Sequence, residues 1–236
     1  MELTPDVLMM AAAWFVVFLF STTIHEAAHA TAALKLGDAT AYGGGQVTLN
    51  PLPHIRREPI GMVVVPLLSF FLGGWMFGWA SAPYDPSWAH RHPKRSALMA
   101  LAGPASNLLL VLIAGTIIRV GVARGAFSPP ATISYSRLID ASGAPALEGL
   151  ATVVSVLFSL NLILFAFNLL PLPPMDGSAV IQLFLPDHAS RWLQSFYRQP
   201  MIGWVGILIA WQLFGSLFMP IFRTALGLLY PSFLYR

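Results

Sequence analysis

Apolar residues follow one another along this chain in long stretches that only short polar segments separate. Four stretches approach or exceed the length of a membrane-crossing helix, which needs about 20 apolar residues. They cover residues 7–24, 96–118, 148–170 and 201–230. The first continues as helix to about Leu36, because the helix-stop residues Gly37 and Asp38 follow. The pattern predicts an all-α polytopic membrane protein with about four to five transmembrane helices.

Two segments depart from this pattern. Residues 60–80 are apolar but contain Pro66, Gly73, Gly74 and Gly78, so they could cross the membrane once or dip in and return. Residues 41–53 begin with the glycine run Gly43 to Gly45 and continue with Gln-Val-Thr-Leu. Turn-forming glycines followed by β-prone residues predict a short β-hairpin or edge strand. It would lie near the helix that contains residues 25–29.

The composition excludes a soluble enzyme. Of the 236 residues, 56% are hydrophobic and 10% are charged, whereas a soluble domain carries about 25% charged residues. We therefore expect a single integral-membrane domain over residues 1–236, in contact with the lipid bilayer. The basic residues are spread over short loops, which argues against nucleic acid as a partner. The chain has no cysteine, so histidines and carboxylates remain as metal ligands.

The sequence His-Glu-Ala-Ala-His occupies residues 25–29, near the end of the first apolar stretch. Side chains at positions i and i+4 share one face of a helix, so His25 and His29 can hold one metal ion. Glu26 lies beside them, where it can accept a proton from a water molecule. This is the H-E-x-x-H arrangement of zinc hydrolases. Ionisable residues inside a membrane span are costly and indicate function.

A catalytic zinc site usually has a third protein ligand and one open position. The carboxylates in apolar surroundings are Glu26, Glu148 and Asp176. Glu26 is needed as the base, and Glu148 opens its span, where water reaches it. Asp176 follows three prolines that end a helix, and unwound backbone at membrane depth is tolerated where it lines a cavity. Asp176 is the best third ligand; the alternative is an ordinary turn residue before Gly177.

Three motifs together resemble the site-2 protease family of intramembrane zinc metalloproteases: HEAAH, GPASN and NLLPLPPMDG. The resemblance covers about residues 7–185, and the C-terminal helical segment of about 200–230 adds little to it. It implies that His25, His29 and Asp176 bind one zinc ion and that Glu26 activates water. The stretch GQVTLNPLPH resembles the compact branch of the family, which has no PDZ or regulatory domain.

Three further residues are candidates for binding substrate. The resemblance implies that Asn168 holds the substrate backbone or the oxyanion; alternatively, Asn168 only hydrogen-bonds a neighbouring helix. Asn107 is a weaker candidate, because it could instead tie helices together. His54 lies near the motif helix and could reach the site, although it could also be an interfacial loop residue. The predicted edge strand could pair with an unwound substrate.

The charge distribution bears on the two interpretations of residues 60–80. One metal shared by His25, His29 and Asp176 requires that the first and third clean spans run in the same direction. That holds if residues 60–80 form a re-entrant hairpin and fails if they cross. In the hairpin arrangement one side carries Lys35, Arg56, Arg57, Arg91, Lys94, Arg95, Arg191 and Arg198, and the other carries Arg119, Arg124, Arg137 and Arg236. The positive-inside rule then favours the hairpin and places the metal nearer the cytoplasmic face.

The sequence therefore predicts an intramembrane zinc metallopeptidase that hydrolyses peptide bonds within or near transmembrane segments of membrane proteins or peptides. Its biological role would be regulated intramembrane proteolysis or clearance of signal-peptide remnants. We expect it in a prokaryotic inner membrane. The alternatives are a proteolytically inactive scaffold or chaperone and a divalent-metal transporter. A transporter favours ligands strung along a path, whereas this chain gathers them at one depth.

Overall fold

The computed structural model describes residues 3–231, and nearly all of its regular structure is helical. The elements are α1 (Pro5–Leu36), α2 (Thr40–Gly43), α3 (Pro51–Arg57), a π-helical turn (Ile60–Val64), α4 (Val65–Gly73), α5 (Pro86–Arg91), α6 (Pro93–Ala123), α7 (Pro145–Asn168), α8 (Gly177–Val180), a 3₁₀ turn (Ile181–Leu183), α9 (Asp187–Tyr197) and α10 (Pro200–Leu229). Extended pairing within residues 3–231 is limited to two isolated bridges in the loop after α6. The predicted all-α class is confirmed.

Four of the described helices are long and apolar enough to cross a membrane, namely α1, α6, α7 and α10. α7 is the most enclosed of them, with 61% of its most apolar window buried, against 22% for α10. α7 therefore lies at the centre of the bundle and α10 at its edge. Large apolar side chains such as Val16, Leu112 and Trp204 remain exposed on the outer faces. Such exposure suits lipid rather than water.

Side-chain contacts give the direction of each span. His25 of α1 lies against Asn107 of α6, and Gly37, just after the end of α1, lies against Arg95 near the start of α6. These two helices are therefore antiparallel. Along α7 the partners in α1 advance in step: Ser21 contacts Asn161, and His25 contacts the segment that follows α7. α1 and α7 therefore run in the same direction, which a metal site shared by their C-terminal ends requires.

The segment from residue 58 to residue 81 turns back on itself. Its helical limb, the π turn and α4, is followed by an extended limb whose Trp79 amide donates to the Gly61 carbonyl at 3.1 Å. At the open end, the Ser81 hydroxyl donates to Glu58 at 2.6 Å. A Cβ on Gly61 would collide with Trp79, and a Cβ on Gly78 would collide with the Gly61 carbonyl, so glycine at both positions lets the limbs touch. Near the turn, Phe70 and Met76 pack with Trp14, in the N-terminal half of α1.

The β-hairpin predicted over residues 41–53 is wrong. The segment contains the single helical turn α2, an irregular stretch and the start of α3. Asn50 caps α3 by accepting the amide of Leu52 at 3.0 Å, and Pro51 suits the first helical position. The amide of Gln46 bonds the Ala41 carbonyl. Local helix-start signals therefore use backbone groups that a β-ladder would need.

The loop after α1 is anchored by Asp38, which is buried. One carboxylate oxygen accepts both the amide and the hydroxyl of Thr40, and the other accepts the amide of Asp85 at 2.9 Å. Burial acts to raise the pKa of the Asp38 carboxyl, but these hydrogen bonds outweigh it and hold the pKa below its usual value. Asp38 therefore remains a charged acceptor that joins the end of α1 to the start of α5.

The segment that carries Asp176, residues 169–183, is held on two sides. The Lys94 ammonium, in the first turn of α6, donates to the carbonyls of Gln182, Leu183 and Leu185. These carbonyls lie at a helix end that lacks intrahelical partners. On the other side, α10 places Gly206 directly against the Pro173 carbonyl.

We expect Gly206→Ala to destabilise the protein, because a Cβ at this position would collide with the backbone of Pro173. Overpacking of this kind costs about 1–3 kcal/mol. The matched control is Gly203→Ala in the same helix, where a Cβ meets open space. Thermal unfolding in detergent measures both variants. Equal unfolding temperatures for the two would contradict the close contact between α10 and the Asp176 segment.

Candidate metal centre

His25, Glu26 and His29 lie in the C-terminal half of α1, on turns that face the interior of the bundle. Each is less than one-tenth exposed. The helix spacing brings the two imidazoles together, so that their Nε2 atoms are 3.0 Å apart and the rings meet edge to face. The chain therefore presents two ring nitrogens from one helix to a single point.

Asp176 reaches this point from the far end of the chain. α7 ends at Asn168, and the prolines that follow carry the backbone back toward α1 before α8 begins at Gly177. The Asp176 Oδ2 atom lies 3.2 Å from Nε2 of His25 and 3.3 Å from Nε2 of His29. The three predicted ligands are therefore brought together. They are the one potential metal-binding group of three His, Cys, Asp or Glu residues within the part of the chain that the structure describes.

The size of this triangle fits zinc. Its three sides measure 3.0, 3.2 and 3.3 Å. Ligands placed tetrahedrally at the usual zinc bond lengths are separated by about 3.3 Å. Four ligands are typical of zinc, so a site built on these three residues would leave one position for water or substrate.

The hydrogen bonds on the outer ring nitrogens leave the inner nitrogens bare. Nδ1 of His29 lies 2.8 Å from the Met99 carbonyl, which can only accept, so Nδ1 carries the proton. Nδ1 of His25 lies 2.6 Å from Oδ1 of Asn107. In the neutral imidazoles both Nε2 atoms are then lone-pair donors. Oδ2 of Asp176 lies 3.2 and 3.3 Å from the two Nε2 atoms, so three atoms that can each donate a lone pair to a metal face one point.

Gly103 supplies the space beside these acceptors. A Cβ on Gly103 would fall against the Nε2 atoms of both His25 and His29. The GPASN segment of α6 therefore approaches α1 closely, as the small residues of this motif allow, and any larger residue would occupy the volume that an ion needs.

Glu26 is 5% exposed. No hydrogen bond joins its carboxylate to another of residues 3–231, and a buried carboxylate without a partner is costly. It lies one residue from His25 in the same helical turn. A carboxylate kept unpaired beside a metal site is available to accept a proton.

The predicted substrate-binding residues occupy different surroundings. Asn168 is half-buried and donates to the Leu164 carbonyl of its own helix at 3.0 Å. Asn107 is fully buried between His25 and Asn161, which favours the interpretation that it ties helices together. His54 is 1% exposed and bonds the Thr48 carbonyl, so it supports the irregular stretch before α3. Roles for these three residues in binding substrate stay predictions.

The sequence did not predict two groups that support the histidines. The Met99 carbonyl orients His29, but a backbone group leaves no mark in a residue pattern. Asn161 extends the hydrogen bonding of Asn107. A polar side chain in the middle of an apolar span was the available signal for Asn161.

Two cavities lie near the centre. A shallow groove of about 420 Å³ runs along α1 past Ile24, Ala28 and Leu49, on a face turned away from the histidines. A second cavity of about 330 Å³ borders the Asp176 segment at Pro174 and Ser178. Several polar side chains line the second cavity, among them Ser96, Gln182, Gln194 and Arg198.

A helix-borne His-Glu-x-x-His pair, completed by a distant aspartate within a bundle of membrane-length helices, defines a membrane-embedded metallopeptidase. The chain belongs to peptidase family M50, whose family model matches residues 13–211. This confirms the resemblance to site-2 proteases and identifies the protein as an integral-membrane zinc metallopeptidase. Neither an inactive scaffold nor a metal transporter is favoured.

Three relatives of this chain are described as zinc metalloproteases. "Putative zinc metalloprotease YwhC" of Bacillus subtilis is 34% identical over 172 residues, which cover 72% of this chain and 68% of the relative. "Putative zinc metalloprotease Rip2" of Mycolicibacterium smegmatis is 27% identical over 74% of this chain and 58% of the relative. Rip2 of Mycobacterium tuberculosis is 28% identical over 78% of this chain and 60% of the relative. No solved structure gives a significant match.

We expect Gly103→Ala to remove bound zinc, because the added methyl group would fall against both Nε2 atoms. Metal analysis of the purified protein measures the loss. The control is Gly115→Ala in the same helix, whose Cβ would lie 3.3 Å from the ring of Phe158 and far from the histidines. Wild-type zinc content in Gly103→Ala would mean that the ion does not lie beside this glycine.

Proposed function

We propose that this chain is an intramembrane zinc endopeptidase in which His25, His29 and Asp176 hold the metal and Glu26 is the general base. The observation that carries the proposal is the triangle of three potential ligand atoms with sides of 3.0 to 3.3 Å, buried among membrane-length helices. Its dimensions and its donor set both suit a divalent ion with three protein ligands.

Zinc, when bound, supplies Lewis acidity that makes a water molecule more acidic and polarises a carbonyl. Glu26 accepts the proton of the attacking water and returns it to the leaving amine. Asn168 donates from the end of α7 to the oxygen on which charge develops, as the family resemblance implies. The Met99 carbonyl and Asn107 keep both imidazoles oriented throughout.

The substrate in this proposal is a transmembrane segment of another protein, unwound at the point of cleavage. A helix encloses its carbonyl carbons, so the scissile bond must be presented in an extended conformation. Helix-breaking residues such as glycine or proline near that bond favour unwinding. A membrane-bound regulator and a signal-peptide remnant would both present such a segment.

The metal lies nearer the cytoplasmic face in this proposal, and residues 58–81 form a re-entrant hairpin. The supporting observation is that the open end of this segment, Glu58 with Ser81, returns the chain to the side on which α1 ends and α6 begins. That side carries Lys35, Arg56, Arg57, Arg91, Lys94, Arg95, Arg191 and Arg198, while the opposite side carries Arg119, Arg124, Arg137 and Arg223. The excess of basic residues follows the positive-inside rule.

In this proposal water approaches the metal from the side of the polar cavity of about 330 Å³, which borders the Asp176 segment at Pro174 and Ser178. Gln182, Gln194 and Arg198 line it, and Arg198 belongs to the basic side of the bundle. A wet cavity at membrane depth is tolerated when protein rather than lipid surrounds it.

Glu26→Gln should retain zinc and lose cleavage by about 10²- to 10⁴-fold, because the amide cannot accept the proton. Cleavage of a single-span peptide in detergent and metal analysis of the same preparation give the two quantities. The control is Glu148→Gln, which changes an exposed carboxylate at the opposite end of the bundle. Cleavage at the wild-type rate by Glu26→Gln would remove Glu26 from the role of base.

Asp176→Ala should release the metal, because two imidazoles alone make an incomplete site. The matched control is Asp187→Ala, at an exposed aspartate eleven residues further along the chain. Zinc content measured on both proteins decides the question. Unchanged metal in Asp176→Ala would exclude this aspartate from the ligand set.

A further inference from the structure

A line of buried hydrogen bonds leads from the metal ligand His25 to the centre of α7. Nδ1 of His25 contacts Oδ1 of Asn107 at 2.6 Å, and Nδ2 of Asn107 donates to Oδ1 of Asn161 at 2.8 Å. Nδ2 of Asn161 then donates to Oγ of Ser21 and to the Leu157 carbonyl, both at 2.8 Å. Ser21, Asn107 and Asn161 are all 0% exposed, so water does not compete for these bonds.

The Leu157 carbonyl, at the end of this line, fixes the direction of every hydrogen bond before it. The Leu157 carbonyl cannot donate, so the nitrogen end of the Asn161 amide must face it. Oδ1 of Asn161 therefore faces Asn107 and accepts from Nδ2. The Asn107 amide is then oriented with its oxygen toward His25, which makes Nδ1 of His25 the protonated ring nitrogen. Nε2 of His25 is left bare on the side where the metal binds.

We propose that Asn161 is a positioning residue: through the Asn107 amide, it selects the tautomer of His25 that can bind the metal. This inference rests on the proposed role of His25 as a ligand. It assigns a function to Asn161, which contacts none of the three proposed metal ligands itself and stands in a mostly apolar helix.

Asn107 alone is insufficient for this selection because the two ends of its side-chain amide are nearly equal in size. Without Asn161, Asn107 can turn over and present its NH₂ group to Nδ1 of His25. The imidazole would then carry its proton on Nε2, which a metal must displace. His29 needs no such relay, since the Met99 carbonyl can only accept. Loss of such supporting hydrogen bonds typically costs about 10–100-fold in metal affinity.

The test compares Asn161→Leu in two backgrounds, with zinc affinity measured on the purified full-length chain by competition with a chelator. In the wild-type background we expect about a 10-fold or greater loss of affinity. The second background is Asn107→Asp, whose own zinc affinity is the reference there, because a carboxylate can only accept and cannot present a donor to His25. In the Asn107→Asp background, Asn161→Leu should therefore cost less than about threefold, since there is no amide left to turn over.

The control is Ser159→Ala, which removes a fully buried hydroxyl from α7 that has no partner among the described residues. This variant should keep wild-type zinc affinity. Unfolding temperature is followed in parallel, and Asn161→Ala gives the same comparison in place of a Leu variant that does not fold. Equal losses of affinity in both backgrounds would show that Asn161 serves only packing, and no loss in either would overturn the relay.

The outcomes also separate this inference from the proposed function. If the wild type binds zinc through Asp176 and cleaves a single-span peptide while Asn161→Leu binds zinc normally, the relay is wrong and the peptidase assignment stands. If zinc affinity follows the relay but no membrane peptide is cleaved, the tautomer selection stands and the peptidase assignment falls.

Discussion

The structure is organised around one point at which three potential metal ligands meet. Nε2 of His25, Nε2 of His29 and Oδ2 of Asp176 lie within 3.3 Å of one another. Helices whose outer faces suit lipid enclose these atoms. A divalent cation bound at this point would hold all three together. The parallel course of α1 and α7, the close approach of α6 and the return of the Asp176 segment all bring these three atoms together.

Keeping polar groups inside such a bundle requires a partner for each of them. Backbone carbonyls meet much of this need: the carbonyl of Met99 serves His29, and three carbonyls at the end of the Asp176 segment share the Lys94 ammonium. Within residues 58–81, the amide of Trp79 likewise bonds the Gly61 carbonyl between the two limbs. Non-helical chain at membrane depth is tolerated where protein surrounds it.

The sequence was most informative where a physical constraint acts over a short range. Apolar length predicted the spans, and i, i+4 spacing predicted the pairing of His25 with His29. Asp176 could be predicted because few carboxylates lie in apolar stretches. The hairpin over residues 41–53 failed because β-propensity was read without Asn50 and Pro51, which start a helix. The role of Asn161 depends on which face of α7 meets α6, and that follows from tertiary packing rather than from neighbouring residues.

The contact between Gly206 and Pro173 joins the part of the chain that carries motifs to a helix that carries none. α10 is the span with the smallest buried share, so its tilt responds most directly to the lipid around it. A bilayer thinner or thicker than a helix's apolar length changes the tilt of that helix. A change in the tilt of α10 would therefore shift Gly206 against Pro173, in the segment that carries Asp176.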